Sequence, residues 1–237
     1  MKSSKLLIGM MMAAACVWCG DDSRAQSATP APAPQQAPAP QAHQPLKIVE
    51  RMFPENCSRD RLSTAPLDII MLHFCSDVIE NPQNPFQFSR IEEIFTAVPV
   101  SAHYFIDRDG TVYQAVPERR VAFHAGRGQL PWFPDRVNTL NEYSIGIEML
   151  ATGSAEDMKI FMSAQAYADF AAKYPQHVGY TDAQYRALGQ LIDGIRTRYP
   201  AIKFDRQHIV GHEESAGRQR RTDPGQLFDW SRIGLKK

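Results

Sequence analysis

The sequence predicts an α/β domain in which a central mixed β-sheet is flanked by helices. Residues 67–74 (LDIIMLHF) are apolar on both faces, which is typical of a central strand covered by helices on each side. Residues 103–113 contain two short apolar segments joined by an Asp-Gly turn, and this pattern predicts an antiparallel hairpin. A long amphipathic helix follows Thr181. Alternating strands and helices indicate an α/β sandwich, and the hairpin makes its sheet mixed.

The helix after Thr181 has the clearest local signals. Thr181 and Gln184 form a capping box, and Pro200 ends the helix. Its apolar stripe consists of Tyr185, Leu188, Leu191, Ile192 and Ile195. The remaining predicted elements are a helix over 89–97 and short strands over 144–150 and 208–211.

Charge and hydropathy exclude two classes of protein. The chain has 237 residues, with 26 Lys and Arg against 26 Asp and Glu, so its formal net charge is zero. Binding to nucleic acid through its phosphates needs a basic footprint, so no nucleic-acid partner is expected. The continuous apolar stretch lies at the extreme N-terminus and is too short for a spanning helix, which excludes a polytopic membrane protein.

Residues 1–25 have the pattern of an export signal. A basic start, an apolar run over 6–19 and a small-x-small cleavage site ending at Ala25 follow one another. The alternative is lipidation at Cys16 or Cys19, although neither cysteine has the usual leucine three residues before it. We therefore expect an exported, periplasmic protein without a transmembrane helix in its mature form, with an outer-membrane lipid anchor as the alternative.

A linker separates this signal from the folded domain. Residues 26–46 are almost entirely Ala, Pro, Gln and Ser, with a proline at every second position in places. Such a segment favours extended, polyproline-like chain and offers no apolar surface to bury. Residues 47–237 are then predicted to form one domain without internal repeats.

Two histidines and one aspartate are candidate metal ligands. His73 ends the predicted buried strand, His212 follows the last strand, and Asp223 lies in a TDPG turn. Taken singly, each is more simply a structural histidine or a turn residue. Together they supply two imidazoles and a carboxylate, the ligand count of a catalytic zinc site with one open position. Neutral imidazoles leave the ion strongly Lewis-acidic, so bound water ionises near neutral pH.

Glu148 is a candidate general base. In the strand SIGIEML it shares a face with Gly146 and Leu150, while Ile145 and Ile147 point the other way. A carboxylate among apolar residues on an internal strand needs a partner or a raised pKa. In the alternative, this is an edge strand and Glu148 lies in solvent.

These residues stand in a set of motifs that resembles one family. In chain order the motifs are LHF, SAHYFIDRDG, FHAG, SIGIEM, YTDAQYRAL and GHEE followed by RRTDPG. Their order and content resemble the type-2 N-acetylmuramoyl-L-alanine amidases, zinc enzymes of the peptidoglycan-recognition-protein superfamily, and especially the branch that includes AmpD and AmiD. The resemblance runs from about residue 66 to 232 and implies the peptidoglycan-recognition-protein-like amidase fold.

The resemblance also implies roles for individual residues. It implies that zinc is bound by His73, His212 and Asp223, and that Glu148 is the catalytic acid/base. The implied reaction cleaves the amide between N-acetylmuramic acid and L-alanine in peptidoglycan or its fragments. Arg221 stands where the family usually has a lysine that stabilises the oxyanion. A guanidinium stabilises an anion but does not release a proton, so proton transfer would depend on Glu148 alone.

Other loop residues are candidates for substrate contact. The loop from His212 to Asp223 is one residue longer than usual in the family, which leaves Arg218 and Arg220 as alternatives to Arg221. The substrate-binding candidates are His124 in FHAG, Trp132 in LPWF and Arg127. Each has a simpler alternative, as a structural loop histidine, a core tryptophan and a solvated arginine. Residues 151–180 are expected to be an insertion with a helix that packs on the core or covers the cleft.

Cys57 and Cys75 are the cysteines that remain after export. In an oxidising compartment we expect them to form a disulfide. The alternative is that Cys75, two residues after His73 on the same strand face, points towards the metal. The main alternative to an amidase is a peptidoglycan-binding module without catalysis, and a zinc peptidase is a third hypothesis.

Overall fold

The computed structural model describes residues 45–62 and 65–236. The predicted export signal, Cys16 and Cys19 lie outside the described residues, as does all of the predicted linker before residue 45. Among the described residues, no helix combines the length and apolar character that crossing a bilayer requires.

The strands confirm the prediction of a mixed sheet. They are β1 (Ile48–Glu50), β2 (Ser58–Asp60), β3 (Ile69–Cys75), β4 (Tyr104–Ile106), β5 (Val112–Gln114), β6 (Arg120–Ala122), β7 (Ser144–Leu150) and β8 (Ile209–Gly211). Six of them form one sheet in the order β1-β5-β4-β7-β3-β8. Only the β4–β5 hairpin in this sheet is antiparallel. β2 and β6 form a separate antiparallel pair, which the sequence analysis did not predict.

The helices lie between and beyond these strands. They are α1 (Phe88–Ala97), α2 (Leu140–Tyr143), α3 (Ala155–Met158), α4 (Ala164–Lys173), α5 (Asp182–Arg198) and α6 (His212–Ala216). The predicted capping box of α5 is present, since Thr181 Oγ1 accepts from the Gln184 backbone N–H and the Gln184 side chain accepts from Thr181 N–H. Local cap chemistry and the apolar stripe thus determine where this helix begins and which side it buries.

α5 packs on one face of the sheet. Ile70 and Leu72 of β3 and Ile147 of β7 share a buried cluster with Leu188 and Ile192 of α5. Because successive side chains in a strand point to opposite faces, the odd-numbered residues of β3 and the even-numbered residues of β7 point away from α5. His73 and Glu148 belong to this second face.

The second face is covered by other elements. Phe88 and Ile91 of α1 pack against Phe105 and Leu150, towards the β4 side. Ile69, Met71 and Val210 pack with Leu130 and Leu140. These two clusters lie on the same face as the candidate site and shield the sheet around it.

The segment over 151–180, which the sequence predicts to be an insertion and which keeps that name below, contains the short helices α3 and α4. Met158 and Phe170 are buried with Val78, and Met162 and Tyr167 pack against them. Core packing, one of the two expectations for this segment, is thus confirmed. Phe161 is an exception, because it is 54% exposed.

Candidate metal centre

The parallel strands bring three of the predicted residues to one edge of the sheet. His73 on β3 is paired in register with Glu148 on β7. On the other side of β3, Leu72 is paired with Gly211, and His212 is the next residue in the chain. The carboxyl ends of β7, β3 and β8 therefore place Glu148, His73 and His212 side by side, where α/β sheets commonly bind ligands.

Asp223 reaches this edge from the loop that follows α6. Its carbonyl oxygen accepts from the backbone N–H of Glu213, 3.0 Å away, which fixes the loop against the start of α6. Gly211 permits this approach, because a Cβ there would lie 2.6 Å from Cδ of Pro224. A side chain at position 211 would push the loop away from His212.

The predicted ligand atoms converge. Nδ1 of His73 lies 2.7 Å and Nδ1 of His212 lies 3.0 Å from the same carboxylate oxygen, Oδ2 of Asp223. Ligand atoms of the three residues all lie within 4.8 Å of one another, and all three residues are buried. Zinc–ligand bonds of about 2.0–2.2 Å in a tetrahedron separate ligand atoms by roughly 3.3 Å, so this cluster has the size of a metal site.

A hydrogen bond determines which ring nitrogen of His212 carries the hydrogen and which carries the lone pair. Nε2 of His212 lies 3.0 Å from the carbonyl oxygen of Ala125. A carbonyl oxygen only accepts, so Nε2 carries the hydrogen. In the neutral ring the lone pair is then at Nδ1, which faces Asp223.

A chain of hydrogen bonds determines the tautomer of His73 in the same way. The Ser144 hydroxyl donates to the Leu140 carbonyl oxygen at 2.6 Å, so its oxygen is left to accept from Nε2–H of His124 at 3.2 Å. Nδ1 of His124 then accepts from Nε2–H of His73 at 3.1 Å. This arrangement satisfies every donor and leaves the lone pair of His73 at Nδ1.

Gly146 makes room for His124 in this chain. A Cβ at position 146 would lie 2.4 Å from Cγ of His124, far inside van der Waals contact. An isolated glycine within a strand often marks such a close approach. Gly146 in the strand SIGIEML carries that signal in the sequence, whereas the roles of Ser144 and Ala125 depend on tertiary contacts and leave no signal there.

The electrostatics suit a cation. Burial lowers the pKa of His73 against the opposing effect of Asp223, and the nearby His212 and Arg221 lower it further. Burial opposes ionisation of Asp223, but its close contacts with the His212 and His73 rings outweigh burial and hold the pKa of that carboxyl well below its usual range. Neutral imidazoles and an ionised carboxylate are the protonation states that bind a metal.

The donor set fits a zinc ion. Three lone pairs, from two imidazole nitrogens and a carboxylate oxygen, face one another at 2.7 and 3.0 Å. Acceptors at such distances repel unless a proton or a metal cation lies between them. Hydrogen bonds from the outer nitrogens of metal-bound histidines are the usual support of such sites.

Glu148 lies beside this cluster and is buried. Its Oε2 is shielded from solvent and has no hydrogen-bond partner among the described residues. Burial, and next the negative charge of Asp223, raise the pKa of Glu148 well above its usual value, against the opposing effects of Cys75 and Arg221. The alternative of a solvent-exposed glutamate on an edge strand is wrong, because β7 is paired on both sides.

The predicted disulfide is wrong, because Cys57 and Cys75 are both free. Cys75 ends β3 on the His73 side, where its thiol hydrogen-bonds with the Glu148 carboxyl. Cys57 lies in a one-turn helix and is buried. Spacing along the chain does not determine the direction of a side chain. The strand places Cys75 on the His73 side, as the alternative expectation had it, but its thiol meets Glu148 and is not part of the ligand cluster.

The loop over 217–229, which carries Asp223 and is called the metal loop below, contains three arginines with different surroundings. Arg221 is exposed, and its charge lowers the pKa values of both His73 and Glu148, which places it near both. Arg220 donates instead to the carbonyl oxygen of Arg127, and Arg218 pairs with Asp157 and Glu213. Of the three, only Arg221 acts on both His73 and Glu148 in this way.

The substrate-binding candidates lie around this edge. His124 is half-buried and contacts His73, and Arg127 is exposed on the loop that follows. Trp132 packs partly on the core, and its indole N–H donates to the carbonyl oxygen of Gln207 at 2.8 Å. His208 hydrogen-bonds to Asp205 and is not part of the ligand cluster.

Comparison with known proteins identifies relatives of this chain. The chain is 36% identical over 134 residues to the 1,6-anhydro-N-acetylmuramyl-L-alanine amidase AmpD of Citrobacter freundii, covering 56% of this chain and 55% of that protein. It is 33% identical over 159 residues to AmpD of Haemophilus influenzae, covering 67% and 70%. The chain thus spans just over half the length of the Citrobacter relative.

A solved structure shares the fold. A crystal structure of an AmpD selenomethionine derivative superposes with a TM-score of 0.55 at 26% identity, covering 81% of this chain and 94% of that one. Residues 63–226 match the family described as N-acetylmuramoyl-L-alanine amidase. This match covers most of the chain and includes every predicted metal ligand as well as Glu148. The protein belongs to the N-acetylmuramoyl-L-alanine amidase family.

Proposed function

We propose that this domain is a zinc-dependent amidase that hydrolyses the amide between N-acetylmuramic acid and L-alanine in peptidoglycan or its fragments. The observation that carries the proposal is the convergence of three acceptor lone pairs beside a buried carboxyl oxygen that has no hydrogen-bond partner among the described residues. The family match gives the class of amide, and AmpD relatives are named for 1,6-anhydro-N-acetylmuramyl-L-alanine substrates.

His73, His212 and Asp223 would hold the metal. When bound, zinc supplies a Lewis acid that acidifies water and polarises the scissile carbonyl. The hydrogen bonds from His212 to Ala125 and from His73 to His124 keep both rings in the tautomer that presents Nδ1. The protein therefore orients its ligands before any metal arrives.

Glu148 would move the proton. Its ionised carboxylate takes a proton from the attacking water at Oε2, the oxygen that lacks a partner. The resulting carboxylic acid then donates this proton to the departing amine nitrogen of L-alanine. A raised pKa favours both steps. It makes the carboxylate a stronger base, and it lets the carboxylic acid hold its proton near neutral pH until the amine accepts it.

Arg221 would stabilise the negative charge on the former carbonyl oxygen. Its guanidinium is exposed at the edge of the site and its charge acts on Glu148. Since arginine stays protonated, it contributes charge and hydrogen bonds while Glu148 alone transfers the proton.

Three side chains around the site would contact the substrate. The exposed side chain of Arg127 suits a carboxylate of the stem peptide, and the partly exposed ring of Trp132 suits a sugar ring. His124 lines the amide position through its contact with His73. The predicted signal over residues 1–25 would direct the protein to export.

Mass spectrometry of the products tests this proposal. Purified peptidoglycan and soluble anhydro-muropeptides are incubated with the protein, with and without a chelator, and with Glu148→Gln. We expect free stem peptides that begin with L-alanine, no cleavage after chelation and recovery with added zinc. Products that keep the muramyl–alanine bond would indicate a peptidase, and binding without any cleavage would indicate a recognition module.

A further inference from the structure

Asp157, in the insertion that joins β7 to α5, lies against the loop that carries Asp223. It occupies the first turn of α3, and its side chain is fully buried. On the insertion side, its Oδ2 accepts from the backbone N–H of Ser154 at 3.0 Å and from the Ser154 hydroxyl at 2.7 Å. The Asp157 backbone N–H donates in return to the Ser154 hydroxyl oxygen at 3.2 Å, which completes a capping box and holds the carboxylate in one orientation.

The same residue binds the metal loop at three points. Oδ2 accepts from the backbone N–H of Gln226 at 2.9 Å, and Oδ1 accepts from the guanidinium of Arg218 at 2.8 Å. The carbonyl oxygen of Asp157 accepts from the hydroxyl of Thr222 at 2.9 Å. These contacts lie on both sides of Asp223, so Asp157 fixes the loop before and after the metal ligand.

The backbone is shaped for this contact. A Cβ at Gly225 would lie 2.6 Å from Oδ2 of Asp157, and a Cβ at Gly153 would lie 2.7 Å from its Cβ. Gly225 also has a φ of +84°, which favours glycine. Two glycines from distant parts of the chain thus leave just enough space for this one side chain.

Arg218 extends the connection to the other metal-bearing segment. Its guanidinium contacts both Asp157 and Glu213, and Glu213 directly follows His212. The carboxylate is therefore linked to the segments of two ligands, His212 and Asp223, while the insertion that carries it packs on the core through Met158.

We propose that Asp157 is a positioning residue for the metal centre, which holds Asp223 in place and thereby sets the affinity for the metal. This inference rests on the proposed zinc site. It gives the insertion a function beyond covering the core, namely that of bracing the metal loop from outside. Supporting residues of metal ligands typically change metal affinity by about 10–100-fold when they are replaced.

Zinc affinity of the folded protein tests this role. We compare the unmodified protein with Asp157→Asn, Asp157→Ala and Thr222→Val, using competition with a chromophoric zinc chelator, after circular dichroism shows each metal-free protein to be folded. Asparagine has nearly the same shape as aspartate, but its amide NH₂ would face either the donors to Oδ2 (Ser154 and Gln226) or the donor to Oδ1 (Arg218). We expect weaker zinc binding by about tenfold for Asp157→Asn and more for Asp157→Ala. Thr222→Val, which loses a single bond, remains informative if Asp157→Ala does not fold.

The matched control is Asp169→Asn in α4, whose carboxylate is exposed and accepts from Gln165 within the same insertion. It should bind zinc like the unmodified protein. Hydrolysis by Asp157→Asn should fall at limiting zinc and recover at excess zinc with KM unchanged. If the Asp157 variants lose thermal stability but keep the zinc affinity of the unmodified protein, the residue is only structural and the inference is overturned. If the unmodified protein itself binds no zinc, the proposed function fails instead.

Discussion

His73 and Glu148 are directly paired on the neighbouring parallel strands β3 and β7, so the first proposed metal ligand and the proposed base leave the sheet side by side. Their relative position is set by backbone hydrogen bonds in the centre of the sheet. His212 follows the strand on the other side of β3. Only Asp223 depends on a loop. Removing the base should therefore leave the ligands in place.

Glu148→Gln tests the base without disturbing this arrangement. Glutamine has nearly the same volume but accepts no proton, so hydrolysis should fall by roughly 10²–10⁴-fold. Zinc content, measured by atomic absorption after dialysis, should stay at one ion per chain. A variant that still hydrolyses muropeptides at the normal rate would show that another group transfers the proton.

Gly146→Ala tests the hydrogen-bonded support of His73. The added methyl group would collide with the ring of His124, whose Cγ lies 2.4 Å from the position of the new Cβ. Displacing His124 removes the partner of His73 Nε2, and zinc affinity should fall by about 10–100-fold.

Gly189→Ala in α5 is the matched control, since a Cβ there meets nothing within 4 Å. It should bind zinc normally and raise the free energy of unfolding by roughly 0.5–1 kcal/mol, because alanine favours the helix. Equal zinc affinity in the two glycine variants would show that the His124 contact does not support the metal site.

Prediction from sequence succeeded where the signals are local. The cap and stripe of α5, the hairpin of β4 and β5, and the alternation along β7 depend on neighbouring residues, and each is present. β1 and β2 have three residues each and no turn signal beside them like the Asp-Gly of the β4–β5 hairpin, so neither was recognised.

The supports of the site were not predictable in this way. The bond between His73 and His124 spans 51 positions of sequence, and Asp157 is 65 positions from Thr222. Neither pair leaves a periodic trace in the sequence. The candidate ligands could be predicted because two histidines at strand ends and an aspartate in a turn together supply the ligand count of a zinc site, even before their distances are known.

Substitutions of Arg221 test whether this residue stabilises the oxyanion by its charge or transfers a proton. If its guanidinium only stabilises the oxyanion, Arg221→Lys should retain most of kcat, because the positive charge remains. Arg221→Met should lose about 10²-fold, the usual effect of removing an oxyanion donor.

Arg220→Met is the comparison for this series, because Arg220 donates to the Arg127 carbonyl oxygen rather than acting on Glu148. Steady-state kinetics on one muropeptide should show a clearly smaller loss of kcat. The opposite order of the two methionine variants would assign the oxyanion to Arg220.

The buried His103 should make the free energy of unfolding of the metal-free protein decrease as the pH falls. Its ring is fully buried and accepts from the Gly146 backbone N–H, and burial lowers its pKa to about 4 from the ordinary value of 6.5. Between these two values the unfolded chain binds a proton that the folded protein excludes. The free energy of unfolding should thus fall by about 3 kcal/mol from pH 6.5 to pH 4 through this residue.

Urea unfolding in the presence of a chelator at pH 7 and pH 4.5 measures this effect. His103→Asn should be less stable at pH 7 but should lose less stability on acidification, since the other histidines titrate in both proteins. An NMR titration of the His103 ring with a midpoint near 6.5 would contradict the prediction.

The free state of Cys57 and Cys75 predicts how alkylation should proceed. Without a reductant, iodoacetamide in denaturant should label both cysteines, and peptide mass mapping should find no disulfide-linked pair. In the folded protein Cys57 should react very slowly, because it is fully buried and burial raises the pKa of its thiol, which lowers the thiolate fraction. Burial also raises the pKa of Cys75, and the charge of Glu148 raises it further, so Cys75 should be unreactive as well until the protein unfolds. A linked pair of peptides in the unreduced sample would restore the disulfide and would require Cys75 to turn away from Glu148.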